Sequence, residues 1–148
     1  MKLGLPVLAI FILGFFFWSF SAVADEKLSV TAQTIEELEQ LRPVLVFEPD
    51  NVTTYTGIID PAERARANAD FARLIDRLGA ELPQRSDRSF VEQEIEKTYS
   101  SFRLADTEDR ERAIGYFARI LKVVGAKDYD RFLNILLYGP ILGEMVSK

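Results

Sequence analysis

The stretch from Asp106 to Gly139 constrains the fold of this chain more than any other, because it surrounds two apolar runs with helix start and stop signals. Asp106 or Thr107 is placed to cap a helix, and Glu108, Asp109 and Glu111 follow in the first turn, where the helix dipole favours negative charge. Arg110 and Arg112 are expected to pair with acids one turn away. Ala113, Ile114, Phe117, Ile120, Leu121 and Val124 then make one apolar face, Lys122 lies in the last turn, and Gly125 holds the position of a left-handed C-terminal cap. A further helix is expected from about Asp128 to Gly139-Pro140. Its residues Phe132, Leu133, Ile135, Leu136 and Leu137 make it apolar on most sides, which predicts a central place or a place against a partner. Ile141, Leu142, Met145 and Val146 carry the apolar character past that break, as a final turn packed back.

The preceding sequence is punctuated in the same way. Thr34-Ile35-Glu36-Glu37 has the form of a capping box, and Ile35, Leu38 and Leu41 share one side of a short helix. Pro43 disfavours helical backbone at Arg42, which ends that helix near Leu41. Val44 to Phe47 reads as an extended segment tucked over the core rather than a lone strand, since no partner strand follows. Asp50 to Ile59 reads as a loop pinned to the surface by Val52, Tyr55, Ile58 and Ile59. Within it, Asn51-Val52-Thr53 is a glycosylation sequon that matters only in a eukaryotic secretory pathway.

Asp60-Pro61-Ala62-Glu63 starts the longest helix, with Asp as cap and Pro at the first helical position, where its missing N–H costs nothing. Phe71, Leu74, Ile75, Leu78 and Leu82 give its buried stripe, and it ends before Pro83, with Gly79 as an alternative earlier stop. Ser89-Phe90-Val91-Glu92 repeats the capping-box form, Asp87 being the alternative cap, and Val91, Ile95, Tyr99 and Phe102 face inward along a helix to about Arg103. Its outer residues Glu92, Glu94, Glu96 and Lys97 read as a solvated face.

The chain of 148 residues has room for one domain with one modest core. Lys2, the uncharged run Leu3 to Phe20, and Ser21-Ala22-Val23-Ala24 before Asp25 form the three parts of a secretory signal peptide. Cleavage after Ala24 is expected, leaving a single helical domain over 25–148 in the periplasm or outside the cell. The alternative is a retained anchor, because an apolar run of 18 residues is at the lower edge of what spans a bilayer. A membrane partner therefore depends on that segment being kept. Loss of the leader removes one charge, Lys2, and takes the formal net charge from −5 to −6. An acidic balance argues against nucleic acid as a partner. Arg64, Arg66, Arg73 and Arg77 interleave with Glu63, Asp70 and Asp76, as on a solvated helix face.

Cysteine and histidine are both absent. That excludes disulfides, Ser-His-Asp and Cys-His catalysis, and His- or Cys-based metal sites. No segment has the spacing of an oxygen-ligand calcium loop. Two-carboxylate hydrolysis needs only acids, but the sequence singles out no pair for it. No catalytic, cofactor-binding or metal-binding residue is assigned, and no cofactor is implied. The residues that could line a recognition surface are Arg110, Tyr116, Arg131 and Tyr138, together with Tyr129, because Tyr and Arg are common anchors in interfaces. The competing expectation is that these rings pack at helix ends with their hydroxyls in water.

Asp106-Thr107-Glu108-Asp109-Arg110-Glu111-Arg112, Tyr116-Phe117, Gly125, and Leu133 to Tyr138-Gly139 resemble the C-terminal signature of a bacterial family known only as a domain of unknown function, family 4844. The resemblance covers the last third of the chain. Lys127-Asp128-Tyr129-Asp130 stands where a Ser-containing turn is expected of the family. The resemblance implies no activity, cofactor or catalytic residue. The expected fold is all-α, a compact array of about five helices with an extended N-terminal segment laid over it. The expected function is that of a non-enzymatic binding protein of the bacterial envelope with another protein as partner, such as an inhibitor or immunity protein. An acid-only hydrolase and an anchored structural protein are the alternatives.

Overall fold

The structure is a computed structural model that describes residues 25–102 and 106–147. The expected leader, and Arg103 at the expected end of the third helix, lie outside these residues. Five α-helices make up the described fold: α1 (Ala32–Leu41), α2 (Pro61–Glu81), α3 (Arg88–Tyr99), α4 (Thr107–Val123) and α5 (Asp130–Val146), with a 3-10 turn at Ser100–Phe102. The fold is all-α, and among the described residues only isolated bridges pair extended backbone.

Residues 25–30 are the extended segment, laid across the turn between α2 and α3. Leu28 donates its amide to the Ser86 carbonyl at 2.8 Å and buries its side chain, while Arg88 donates its amide to the Glu26 carbonyl at 2.9 Å. Arg88 also reaches Glu26 at 2.9 Å and Glu92 at 2.7 Å through its guanidinium. Asp87 precedes α3 without a side-chain capping bond, and Ser89 bonds Asp25 through its hydroxyl. Neither expected cap therefore acts as one, because the N-terminal segment engages both side chains, Lys27 pairing with Asp87 and Asp25 accepting from Ser89.

At α1 the cap is Thr31, three residues earlier than expected. Thr34 takes the N3 position, and the two threonines bond each other's backbone amides reciprocally at 3.2 and 3.1 Å. Arg42 keeps α-helical dihedrals (φ −56°, ψ −44°) despite the proline after it. What ends α1 is the missing N–H of Pro43 rather than a change of backbone at Arg42. Asp60 caps α2 as the sequence predicts, accepting from the amides of Ala62 and Glu63. Gly79 does not interrupt α2. At the end of α4, Gly125 adopts φ +75°, with Ala126 N–H to Leu121 O at 3.0 Å and Gly125 N–H to Lys122 O at 3.1 Å, the pairing of a Schellman motif.

The core centres on Phe71 of α2. Its ring stacks on Phe117 (centroids 5.1 Å, interplanar 12°) and meets Phe47, Phe102 and Tyr116 edge-on at 5.4, 5.6 and 4.8 Å. Five aromatic residues from α2, α4, the 3-10 turn and the segment after α1 thus share one contact set. Aromatic pairs of this kind add about 0.5–1.5 kcal/mol each beyond the area they bury. Phe47 and Val46 are buried, so the segment after α1 does cover the core, but through turns rather than extended backbone. In the following loop Tyr55 and Ile58 are buried, whereas Val52 and Ile59 are exposed and pin nothing.

Of the two places expected for the last helix, central or against a partner, the central one is not taken. Within α5 only Leu133 and Gly143 are buried, while Phe132, Ile135, Leu136 and Leu137 are partly so, Phe132 and Leu136 packing against the core. The Gly139-Pro140 break is real: Gly139 takes φ +81°, ψ 169°, a region open essentially to glycine alone. Beyond it the chain folds back on itself. A Cβ added at Gly143 would lie 2.6 Å from the Ile135 backbone, so the two halves touch through bare backbone. Arg131 to Glu144 at 2.5 Å and Asn134 to Ser147 at 3.1 Å clip the halves together. The hairpin leaves Tyr138, Ile141, Leu142, Met145 and Val146 exposed. No helix among the described residues is long and apolar enough to cross a membrane.

Candidate functional site

Arg112 organises the concavity between α4 and the segment after α1. Its Nε donates to the Val46 carbonyl at 3.1 Å, and its Nη1 and Nη2 both reach Asp50 Oδ2 at 3.1 Å, with Nη1 also 3.1 Å from Thr53 Oγ1. The guanidinium carbon lies 4.4 Å from the Tyr55 ring centroid, and the Tyr55 hydroxyl donates to Asp109. Residues 44–56 are thereby fastened as an arm along α4. The expected pairing of Arg112 with an acid one turn away is replaced by one with an acid 62 residues earlier.

Asp50 is held by several donors at once. The Val52 amide at 2.8 Å, the Thr53 hydroxyl at 2.9 Å and Arg112 all stabilise its ionised form, the amide most of all, and bring its pKa down to about 2. Tyr55 moves the opposite way, since burial and the neighbouring Asp109 carboxylate both disfavour its phenolate. Both shifts preserve the charge states that lock the arm near neutral pH.

Between arm and helix lies an open groove of about 610 Å³. Val44, Leu45 and Tyr55 form one wall, and Glu108, Glu111, Gly115 and Arg119 form the other, with Arg112 and Tyr116 beneath. Leu45 is 59% exposed although the residues on either side of it turn inward. Glu108, Glu111 and Arg119 are exposed and make no ion pair with any described residue, while the Arg119 guanidinium carbon sits 5.8 Å from the Tyr116 ring centroid. A second concavity shares Tyr55 and Glu108 with the groove and adds the carboxylates of Asp60, Glu63, Asp106 and Asp109.

Gly115 is the least explained residue of the groove. It lies in the middle of α4, exposed, in ordinary helical backbone, and a Cβ there would meet nothing within 4 Å. Glycine in a helix interior costs about 0.5–1 kcal/mol relative to alanine, and no contact within the fold requires it here.

The structure divides the four residues singled out as a recognition surface. Tyr116 is 3% exposed, packed on Phe71, and its hydroxyl donates to the Leu41 carbonyl at 2.7 Å; burial pushes its pKa up to about 12. It supports the groove from below. Arg110 donates to Thr107 Oγ1 at 3.3 Å, and its buried Nε has no partner among the described residues. Arg131 and Tyr138 lie on the terminal hairpin, Arg131 paired with Glu144. Tyr129 packs partly buried against the core. Of the arginines on α2, Arg64, Arg73 and Arg77 are paired with Glu48, Asp70, and Glu81 and Glu94 respectively, as befits a solvated face.

Among the described residues no group of three or more His, Cys, Asp or Glu is arranged to hold a metal ion. Asp25, Asp50 and Asp76 are all held below the ordinary carboxylate range, by Ser89, by the Val52 amide and by Arg42 respectively. A general acid at neutral pH needs the opposite shift. The groove combines an apolar wall, a bare stretch of helix, and charges of both signs that make no ion pair among the described residues.

These features define a class of protein, an all-α domain in which an irregular arm locked onto the fourth helix builds an amphiphilic groove. The chain belongs to the family described as domain of unknown function DUF4844, whose model matches residues 29–140. The match includes both walls of the groove and stops before Ile141 to Val146 of the hairpin. Among solved structures, a DUF3571 family protein from Acinetobacter baumannii AYE is similar, at 25% identity and a TM-score of 0.62, over 76% of this chain and 94% of that one. No curated protein matches the chain.

Proposed function

We propose that this chain is a non-enzymatic binding protein of the bacterial envelope that captures a protein partner in the groove between α4 and residues 44–56. The observation that carries the reading is Gly115, a destabilising residue in the middle of a helix that nothing in the fold requires and that leaves the helix bare where the groove passes. Leu45, held outward on the facing wall, supplies apolar surface for a partner. The envelope location rests on the basic start, apolar run and Ala22-Val23-Ala24 of the leader. An inhibitor or immunity-type protein is a fitting instance of this class. The hydrolase alternative draws no support from Asp50, the carboxylate bound to Arg112 beside the groove, whose pKa is brought down to about 2, the wrong direction for a general acid.

The test is affinity capture from bacterial envelope extract by the full chain and by its Gly115→Trp variant. A Cβ at this position meets open space, so the indole fills the groove without disturbing α4. We expect a partner, identified by mass spectrometry, that is retained by the unmodified chain and reduced at least about tenfold with the variant, the ratio that about 1.4 kcal/mol of lost binding produces. Equal recovery with both proteins, or no specific partner with either, would overturn the reading.

A further inference from the structure

We propose that the occupant of the groove is an extended segment of the partner, lying along α4 across Gly115 with a lysine or arginine at the Glu108 and Glu111 end and a carboxylate at Arg119. This rests on the groove being the binding site. Glu108, Glu111, Gly115 and Arg119 follow one another at spacings of three, four and four residues, which keeps them on one face of the helix. From the first to the last the face runs about 16 Å at 1.5 Å per residue. An extended chain covers that distance in about five residues.

The shape of the wall suits backbone rather than a bulky side chain. With no side chain at 115 the main chain of α4 is open between two charged turns, and glycine is the residue that permits such close approach. Leu45 on the opposite wall then meets an apolar side chain of the occupant.

Charge fixes the polarity. Glu108 and Glu111 form one end, reinforced by Glu63 and Asp106 of the adjoining concavity, while Arg119 forms the other. Arg112 lies between them, but its guanidinium is already engaged by Asp50 and the Val46 carbonyl. Among the described residues the opposite charges at the two ends of the groove make no ion pair, and a segment with the reverse order of charges complements them.

The probe is a positional library of six-residue fluorescent peptides, apolar in the centre, titrated against the full chain by fluorescence polarisation. Peptides basic at one end and acidic at the other are expected to bind best, and replacing the basic end by glutamate should weaken binding about five- to tenfold. The double variant Glu108→Lys and Glu111→Lys should invert that preference, and Arg119→Glu should invert preference at the other end. All three side chains are exposed and make no ion pair among the described residues, so either variant alone suffices as a test. End preferences untouched by both variants would overturn the proposal. Loss of partner capture in Gly115→Trp without any peptide end preference rejects the extended segment and keeps the groove; capture retained in Gly115→Trp rejects both. A dimer of the full chain that Gly115→Trp dissociates, seen by sedimentation, assigns the groove to a second copy and also overturns the proposal.

Discussion

Phe71→Ala is expected to destabilise the fold by about 3–5 kcal/mol, the usual cost of removing a fully buried phenylalanine. Phe71 is 1% exposed and its ring touches Phe47, Phe102, Tyr116 and Phe117. Truncation therefore removes four ring contacts and opens a cavity that rigid neighbours fill poorly. Domains of this size are stable by about 5–15 kcal/mol in total, so the loss is a large share of what holds the chain folded. Urea denaturation followed by far-UV circular dichroism measures it. A change below about 0.5 kcal/mol would mean that the five rings are not the core, since that is the range for substitutions away from packed sites.

Gly57→Val is expected to have the largest effect on the arm. Gly57 has φ +76°, and a Cβ there would lie 2.9 Å from both the Phe47 carbonyl oxygen and Pro49 Cδ. The left-handed backbone alone costs a residue with a side chain about 1–2 kcal/mol. The collision adds about 1–3 kcal/mol more, because the obstructing atoms belong to backbone and a proline ring that cannot swing aside. Gly125→Ala separates the two contributions: its φ is +75° but a Cβ there would meet nothing within 4 Å, so only the backbone cost applies. Thermal melts should rank Gly57→Val well below Gly125→Ala. Partner capture should fall with Gly57→Val as well, since the arm carries one wall of the groove. Equal stability of the two variants would show that residues 44–56 are not packed as described.

The helices were legible because their signals are local. Asp60-Pro61, the prolines at 43 and 83, Gly125 and the stripe from Phe71 to Leu78 all act within one or two turns. Local ambiguity accounts for the misplaced start of α1, where Thr31 and Thr34 are both good caps and each bonds the other's backbone. The position of α5 could not be read from composition, because apolar residues on most sides fit a buried helix and an exposed hairpin equally well. Gly139 and Gly143 decide the matter, the first by its backbone and the second by the close approach it permits.

The site was harder to see because the interactions that build it are long-range. Arg112 has acids one turn away in sequence, yet it binds Asp50 and the Val46 carbonyl; Asp109, read as a favourable charge at a helix start, accepts from Tyr55. Nothing in the local pattern distinguishes those partners. One signal was present: Gly115 interrupts a helix interior on the face opposite Phe117 and Leu121, where its cost has no packing return. Of the residues chosen on chemical type, Tyr116 proves to be a buried support, and Arg131 and Tyr138 belong to the hairpin.

Among the described residues the groove wall at Leu45 and the terminal hairpin both expose apolar side chains, and methyl NMR separates them. Val44, Leu45 and Val46 report on the groove, while Ile141, Leu142, Met145 and Val146 report on the hairpin, where Ile141 is 78% exposed. On adding the captured partner to the full chain, the methyl resonances of residues 44–46 should shift and those of residues 141–146 should stay in place. Shifts confined to the hairpin methyls, with residues 44–46 unmoved, would contradict the assignment of the groove as the binding site.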